Sequence, residues 1–296
     1  MTFCKTLFSK SSILLGGLFI PAFVLFNGTQ AQAGVCKDSK NAAQVARTAY
    51  NSKTSDKKKY IPSGYTYVKS WSKSGQHAYL TTTKYKGKTL CHYAFRGLSG
   101  NTFWKSVKNL GKLITSTTCK SSQNKNMGRC SKWVYESYKK IRSSVLSDLK
   151  KRKCTAGINI IGHSMGGAIS ALFAADLYLS NPGKYDAKKG FLKVYTFGSP
   201  RVFKKNNAKK YHGKIWTARW VYQGTGTFTD HVPSYPSSKS FSHYGQAYRV
   251  RKQLKFLKYK YSWGKKSQNW APKSLSLTDH EASVYTKNIN KAKKCK

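Results

Sequence analysis

The chain is 296 residues long and carries 55 Lys or Arg against 9 Asp or Glu, a formal charge of +46. Its lysines are spread through every stretch rather than gathered in a tail. No Pro/Gly/Ser linker, internal repeat or low-complexity tract divides it, which favours one domain over two. The 7 cysteines include no C-x-x-C pair, so the spacing offers no zinc motif, and no metal or other cofactor is expected.

Met1 to Ala33 reads as a secretory signal. Lys5 and Lys10 give a positive start, Ser11 to Phe26 an apolar core, and Ala31-Gln32-Ala33 an A-x-A cleavage site before Gly34. The apolar core is too short to span a bilayer comfortably. Its removal would leave residues 34–296 as one strongly basic domain holding Cys36, Cys91, Cys119, Cys130, Cys154 and Cys295. An even cysteine count in an exported protein points to disulfides, and the spacing leaves their connectivity open.

Asn41 to Tyr50 has apolar residues at helical spacing and predicts a short helix. Three strands follow, Tyr65–Trp71, His77–Thr83 and Thr89–Phe95, with Lys86-Gly87-Lys88 as a hairpin turn between the last two. Ser131 to Leu149 predicts a long amphipathic helix with Val134, Tyr138, Ile141, Val145 and Leu149 on one face. The apolar run Gly157 to Ile161 reads as a buried strand, and the small apolar run from Gly167 reads as a tightly packed helix to Leu179, stopped by Asn181-Pro182-Gly183. Strand Phe191–Phe197, a helical stretch Arg201–Tyr211 and strand Ile215–Tyr222 continue the alternation. Such alternation implies an α/β fold with a largely parallel sheet covered on both faces.

Between the buried strand and the packed helix stands Gly162-His163-Ser164-Met165-Gly166. G-x-S-x-G in that context is a nucleophile elbow, a sharp turn presenting the serine at the strand's carboxyl end. The backbone N–H of Met165 then opens a helix, where it can stabilise a developing oxyanion. A serine hydroxyl becomes a strong nucleophile only when a histidine takes its proton, and a carboxylate must fix that histidine's tautomer. In this arrangement the acid and then the histidine follow the serine in the chain. The acids after Ser164 are Asp176, Asp186, Asp230, Asp279 and Glu281, and the histidines are His212, His231, His243 and His280. Asp176 lies three turns along the packed helix, and Asp279 and Glu281 flank His280 too closely to orient it side-on. His163, inside the elbow, is expected to pack beneath the turn.

Several motifs resemble those of the fungal-type (class three) lipases, a branch of the α/β-hydrolase fold. Tyr93-Ala94-Phe95-Arg96-Gly97 resembles the strand ending that supplies one oxyanion donor, and Trp133 to Tyr138 the start of the helix leading to the elbow. Ile161 to Ala168 is similar to the family elbow almost residue for residue. Tyr195 to Val202 resembles the strand and turn after it, and Asp230-His231-Val232-Pro233 with Pro236 the family's aspartate motif. Phe241 to Gly245 resembles a histidine-bearing stretch, and Asp279-His280 with Tyr285 the catalytic-histidine segment. The resemblance implies a triad of Ser164, Asp230 and His280, with His243 as the rival base, acting on lipid or other acyl esters.

Leu98 stands where many members carry Ser or Thr, so the implied oxyanion hole rests on the backbone amides of Leu98 and Met165. Asn101 to Leu113 sits where the family carries its lid. Phe103, Trp104, Val107 and Leu110 form a stripe at helical spacing, readable as a cationic amphipathic lid or as a helix buried on the core. Some members tie their termini with a disulfide, which suggests Cys36–Cys295; Cys119–Cys130 around a Ser/Asn/Gly-rich loop is the second expected pair.

The charge asks for a negatively charged partner. A lysine near an anionic membrane gains roughly 1 kcal/mol, screened over about a Debye length. The leading expectation is therefore a monomeric, secreted lipase or phospholipase working at an anionic lipid interface. The alternative is an inactive hydrolase fold binding polyanionic glycan or nucleic acid, with Lys255 to Trp263 interleaving lysines and aromatics. That segment also reads as an edge hairpin with solvated lysines.

Overall fold

The computed structural model describes residues 23–51, 58, 60–98, 114–223, 230, 232–236, 240–251, 256–259 and 280–291. Helix α1 (Phe23–Thr48) leads into the hairpins β1 (Thr66–Lys73), β2 (Gln76–Tyr85) and β3 (Lys88–Phe95). The two turns between them place Ser74-Gly75 and Lys86-Gly87 at positive φ, the paired left-handed conformation that suits strand twist in two-residue hairpins. Next come β4 (Ser116–Lys120), β5 (Asn126–Ser131), α2 (Lys132–Lys151), β6 (Gly157–His163) and α3 (Met165–Ser180). The single turn α4 (Pro182–Tyr185), β7 (Leu192–Phe197), β8 (Phe203–Lys204), α5 (Lys205–Tyr211) and β9 (Trp216–Gln223) follow. The chain closes with β10 (Phe241–Ser242), β11 (Gln246–Arg251), β12 (Phe256–Tyr259) and α6 (Ala282–Lys291).

Eight strands form one sheet in the order β1-β2-β3-β6-β7-β9-β11-β12. Its centre is parallel: β3 pairs β6, β6 pairs β7, β7 pairs β9 and β9 pairs β11. Its two flanks, β1-β2-β3 and β11-β12, are antiparallel.

Side chains of the central strands alternate between two apolar layers, as the period-two geometry of a strand requires. Tyr93, Phe95, Ile160 and Val194 pack against α2 and α3 through Val134, Tyr138, Ile141, Ala168, Leu172 and Phe173. Ala94, Ile161, Tyr195 and Phe197 point the other way, onto Ala42, Val45 and Ala46 of α1, Ala49 just after it, and Tyr285 and Ile289 of α6. Both faces are therefore covered, and the near-continuous apolar runs of β6 and β7 are explained. The result is a single-domain α/β-hydrolase fold.

Three differences from the sequence reading have physical causes. The first helix runs 26 residues rather than beginning at Asn41, because Gln30-Ala31-Gln32-Ala33 is as good a helix as it is a cleavage pattern. It thus crosses the expected leader boundary. The stretch from Arg201 is extended first: Phe203 pairs with Cys130 and Ser242, and only Lys205–Tyr211 is helical. A second sheet, β10-β8-β5-β4, was not anticipated, since its strands are short and polar and are assembled by long-range pairing. By contrast, β12 supplies the outer edge of the large sheet, paired antiparallel with β11, so Phe256–Tyr259 is an edge strand as the edge-hairpin reading has it.

Candidate active site

Ser164 follows β6 with φ 58°, an uncommon conformation for a residue with a Cβ and one that concentrates at functional turns. Its N–H donates to Phe197 O at 2.9 Å, and its carbonyl accepts from Gly167 N at 2.9 Å as α3 begins. The turn is tight enough that a Cβ on Gly162 would run into the Gly166 carbonyl, and one on Gly166 into the Phe95 carbonyl. Both elbow glycines are thus required by the packing of strand, turn and helix.

His280, on the residue pair just before α6, reaches Ser164: its Nε2 lies 2.7 Å from Ser164 Oγ. Its Nδ1 lies 2.9 Å from Asp230 Oδ2. Asp230 follows β9 and is held on both oxygens. Oδ1 accepts from Val232 N at 2.9 Å, and Oδ2 also accepts from the Tyr285 hydroxyl on α6. All three side chains are buried, Ser164 at 3%, Asp230 at 2% and His280 at 4% exposure. A carboxylate at Nδ1 keeps the imidazole hydrogen there and leaves the Nε2 lone pair facing the hydroxyl. Three elements that are far apart in sequence are thereby brought to the carboxyl end of the parallel strands. Behind the pair sits Gly198 at φ 56°, where a Cβ would fall 2.8 Å from Asp230 Oδ2 and 3.0 Å from His280 Nδ1.

The other sequence candidates go elsewhere. His243 Nε2 meets Pro233 O at 3.0 Å, and burial together with Arg219 and Arg201 holds it well below the usual imidazole range. It therefore donates to that carbonyl as a neutral ring. His212 caps the end of α5 on the surface. Asp176 is buried and ties the β4–β5 hairpin to α2, accepting from Ser122 N at 2.9 Å, Ser122 Oγ at 2.7 Å and Tyr138 Oη at 2.6 Å. Asp186 caps the short turn after it through Lys188 N at 3.0 Å. His231, Asp279 and the lid candidates Phe103, Trp104, Val107 and Leu110 lie outside the described residues.

Of the two expected oxyanion donors, Met165 is the first residue of α3, and Leu98 lies just past β3, partly buried against the core. Gly97 before it packs directly on the nucleophile: a Cβ there would sit 2.9 Å from Ser164 Cβ and 2.8 Å from His163 O. Among the described residues no cluster of three or more His, Cys, Asp or Glu side chains could hold a metal ion.

Sequence reasoning left two contributors unassigned. Tyr50 bonds His163 Nδ1 at 2.7 Å, and Tyr285 holds Asp230. Tyr50 has no motif around it that could have pointed to the site; Tyr285 stood inside the histidine segment but without a role. The disulfides observed are Cys119–Cys130 and Cys91–Cys154, and Cys36 is also disulfide-bonded. The Cys91–Cys154 pair had not been singled out, and Cys295 lies outside the described residues.

This fold and elbow belong to the α/β-hydrolase class, and comparison with known proteins narrows it. The model of the class 3 lipase family matches residues 92–240, half of the chain, and the chain belongs to that family. Triacylglycerol lipase OBL1 of Ricinus communis is 28% identical over 116 residues, 38% of this chain and 22% of that protein. The match therefore spans about a fifth of that relative's length. Among solved structures, lipase II from Rhizopus niveus superposes with a TM-score of 0.58 at 21% identity, covering 75% of this chain and 81% of that one. The lipase from Rhizopus microsporus var. chinensis gives 0.57 at 22% identity, covering 74% and 75%. The triacylglycerol lipase from Penicillium expansum gives 0.57 at 17% identity, covering 74% and 80%. These likenesses describe the fold.

Proposed function

We propose that this chain is an exported serine ester hydrolase, a lipase or phospholipase, acting on acyl esters through Ser164, His280 and Asp230. The observation that carries the reading is the continuous contact from Ser164 Oγ to His280 Nε2 at 2.7 Å and from His280 Nδ1 to Asp230 Oδ2 at 2.9 Å. Ser164 Oγ attacks the acyl carbonyl carbon while His280 Nε2 takes its proton. The oxyanion is held by the backbone N–H groups of Leu98 and Met165. His280 returns the proton to the departing alcohol, and the acyl-enzyme is then hydrolysed by a water that His280 deprotonates.

A fluorophosphonate should label the wild type and not Ser164→Ala, and the same substitution should abolish ester hydrolysis. Labelling of neither, with no turnover of triglycerides, phospholipids or short soluble esters, overturns the reading in favour of a cationic binder.

Two finer parts of the proposal rest on the sequence. The run Ser11 to Phe26 before Ala31-Gln32-Ala33, together with the disulfides, supports export. N-terminal sequencing of protein recovered outside the cell should begin at Gly34; a chain retaining Met1 overturns it. The charge supports an anionic interface as the working surface: Lys132, Lys139, Lys140, Lys150 and Lys151 are all exposed on α2 alone. Co-sedimentation with anionic vesicles should exceed that with zwitterionic ones and fade as salt is raised. Equal binding to both removes the interface from the proposal.

A further inference from the structure

Tyr50 follows α1, far in sequence from every motif of the site, yet its hydroxyl lies 2.7 Å from Nδ1 of His163. The Gly97 backbone packs against that hydroxyl, so that a Cβ on Gly97 would collide with its oxygen, and burial pushes Tyr50 well above the usual phenol range, so it stays protonated. On its other side, His163 Nε2 lies 2.6 Å from the carbonyl oxygen of His280. That ring is wholly buried, and burial together with neighbouring His280 holds it well below the usual imidazole range.

These facts fix every hydrogen. A carbonyl oxygen only accepts, so His163 Nε2 must carry the ring's hydrogen. A neutral imidazole then has a bare Nδ1, which accepts from the Tyr50 hydroxyl. That hydroxyl's oxygen, its hydrogen committed to His163, faces the Gly97 backbone. The bonds therefore run one way, from Tyr50 O–H to His163 and from His163 N–H to the His280 carbonyl, with Gly97 packed against the first donor, and each polarises the next. The ends of this chain matter. Gly97 immediately precedes Leu98, whose amide is a proposed oxyanion donor, and His280 carries the proposed base. Stacking supports the same arrangement, with the His163 and His280 rings 4.8 Å apart and tilted by 33°.

We propose that Tyr50 and His163 are positioning residues that lock the backbone of His280 and the Gly97–Leu98 segment to one another across the elbow. The proposal rests on the reading of Ser164 as the nucleophile. It gives the elbow histidine a purpose beyond packing: it holds the base by its main chain while Asp230 holds it by its ring.

The test uses the secreted full-length chain and a soluble short-chain nitrophenyl ester, with kcat counted per serine titrated by fluorophosphonate. Tyr50→Phe keeps the ring and removes the donor. It should lower kcat on the order of 10-fold with KM within about twofold, because misplacing a reacting group costs rate rather than binding. His163→Leu should fall at least as far. His163→Gln can still present an N–H towards the His280 carbonyl and should recover part of the loss. If His163→Leu does not fold, Tyr50→Phe and His163→Gln decide the matter. A purely structural role predicts a lower Tm and fewer titratable serines, but wild-type kcat for each of them; that result overturns the proposal. Ser164→Ala separates the two levels. Undiminished turnover in Ser164→Ala sinks the hydrolase reading itself, whereas a dead Ser164→Ala beside unchanged Tyr50→Phe and His163→Gln sinks only the positioning chain.

Discussion

The hydroxyl of Tyr285 donates to Oδ2 of Asp230, the same oxygen that faces His280 Nδ1. One carboxylate oxygen is therefore shared between a phenol and the candidate base, and α6 supplies both the phenol and the support behind it. Tyr222 N in turn donates to the Tyr285 oxygen at 3.2 Å, so the phenol is oriented by β9.

Tyr285→Phe should accordingly weaken the carboxylate's hold without destroying it. A hydrogen bond to a charged group contributes about 1.5–3 kcal/mol. The expected outcome is a loss of that order in unfolding free energy, together with a fall in kcat well short of that caused by Asp230→Asn, where the imidazole would adopt the wrong tautomer. Steady-state rates on a soluble ester, beside urea unfolding of each variant, check the ranking. Equal rate losses for the two variants would contradict it.

Gly198 offers a cleaner way to reach the same pair. Its φ of 56° already disfavours a side chain, and a methyl there would press on both Asp230 Oδ2 and His280 Nδ1. Gly198→Ala should abolish most ester hydrolysis while costing about 1–2 kcal/mol of stability from the left-handed backbone. Activity near wild type in a folded Gly198→Ala protein would mean that Asp230 and His280 can separate without consequence.

The elbow was legible because its chemistry is local: strand, G-x-S-x-G and small-residue helix are contiguous, although only Gly162 is demanded by a contact within that turn, Gly166 being demanded by the Phe95 carbonyl at the end of β3. Asp230 and His280 were reached through motif resemblance, since nothing local to either residue marks it as the partner of a serine more than sixty positions earlier. Tyr50 was not legible at all, because its role comes from the packing of α1 across the sheet. The second sheet was missed for a related reason. Phe203 is strand only because Cys130 and Ser242 flank it, a pairing that two-residue strands cannot announce. The polar stretch 116–131 holds its place through Asp176 and a disulfide rather than an apolar pattern.

Buried histidines should make this protein acid-sensitive. Burial lowers His92 from the ordinary value near 6.5 to about 3, and His163 and His243 are lowered in the same direction. For a histidine whose folded pKa lies below its unfolded one, the unfolded chain binds the extra proton. Stability is then full above the unfolded value near 6.5 and is lost as pH falls towards the folded value. Each such group contributes a slope of about 1.4 kcal/mol per pH unit within that window. Unfolding free energy measured between pH 7 and about 4 should therefore fall steeply, and His92→Gln should flatten the slope by roughly one histidine's share. An unchanged slope in that variant would show that His92 is not kept neutral by the fold.

The two disulfides whose partners are both placed differ in what they restrain. Cys91 lies in β3 and Cys154 just before β6, so their bond staples the ends of adjacent parallel strands across a sequence separation of 63. Cys119–Cys130 closes only a hairpin with a separation of 11. In the chain-entropy model the longer loop contributes about 4 kcal/mol and the shorter about 3 kcal/mol. The longer one also anchors the strand whose end carries Arg96, Gly97 and Leu98. Replacing Cys91 and Cys154 together by Ala should therefore cost more stability than replacing Cys119 and Cys130, and should lower kcat per titrated serine as β3 loosens. Losing the hairpin bond should leave kcat near wild type, because the Asp176 contacts that hold that hairpin lie about three turns along α3 from Ser164. Thermal melts and active-site-normalised rates on the two double variants decide between this ranking and its reverse.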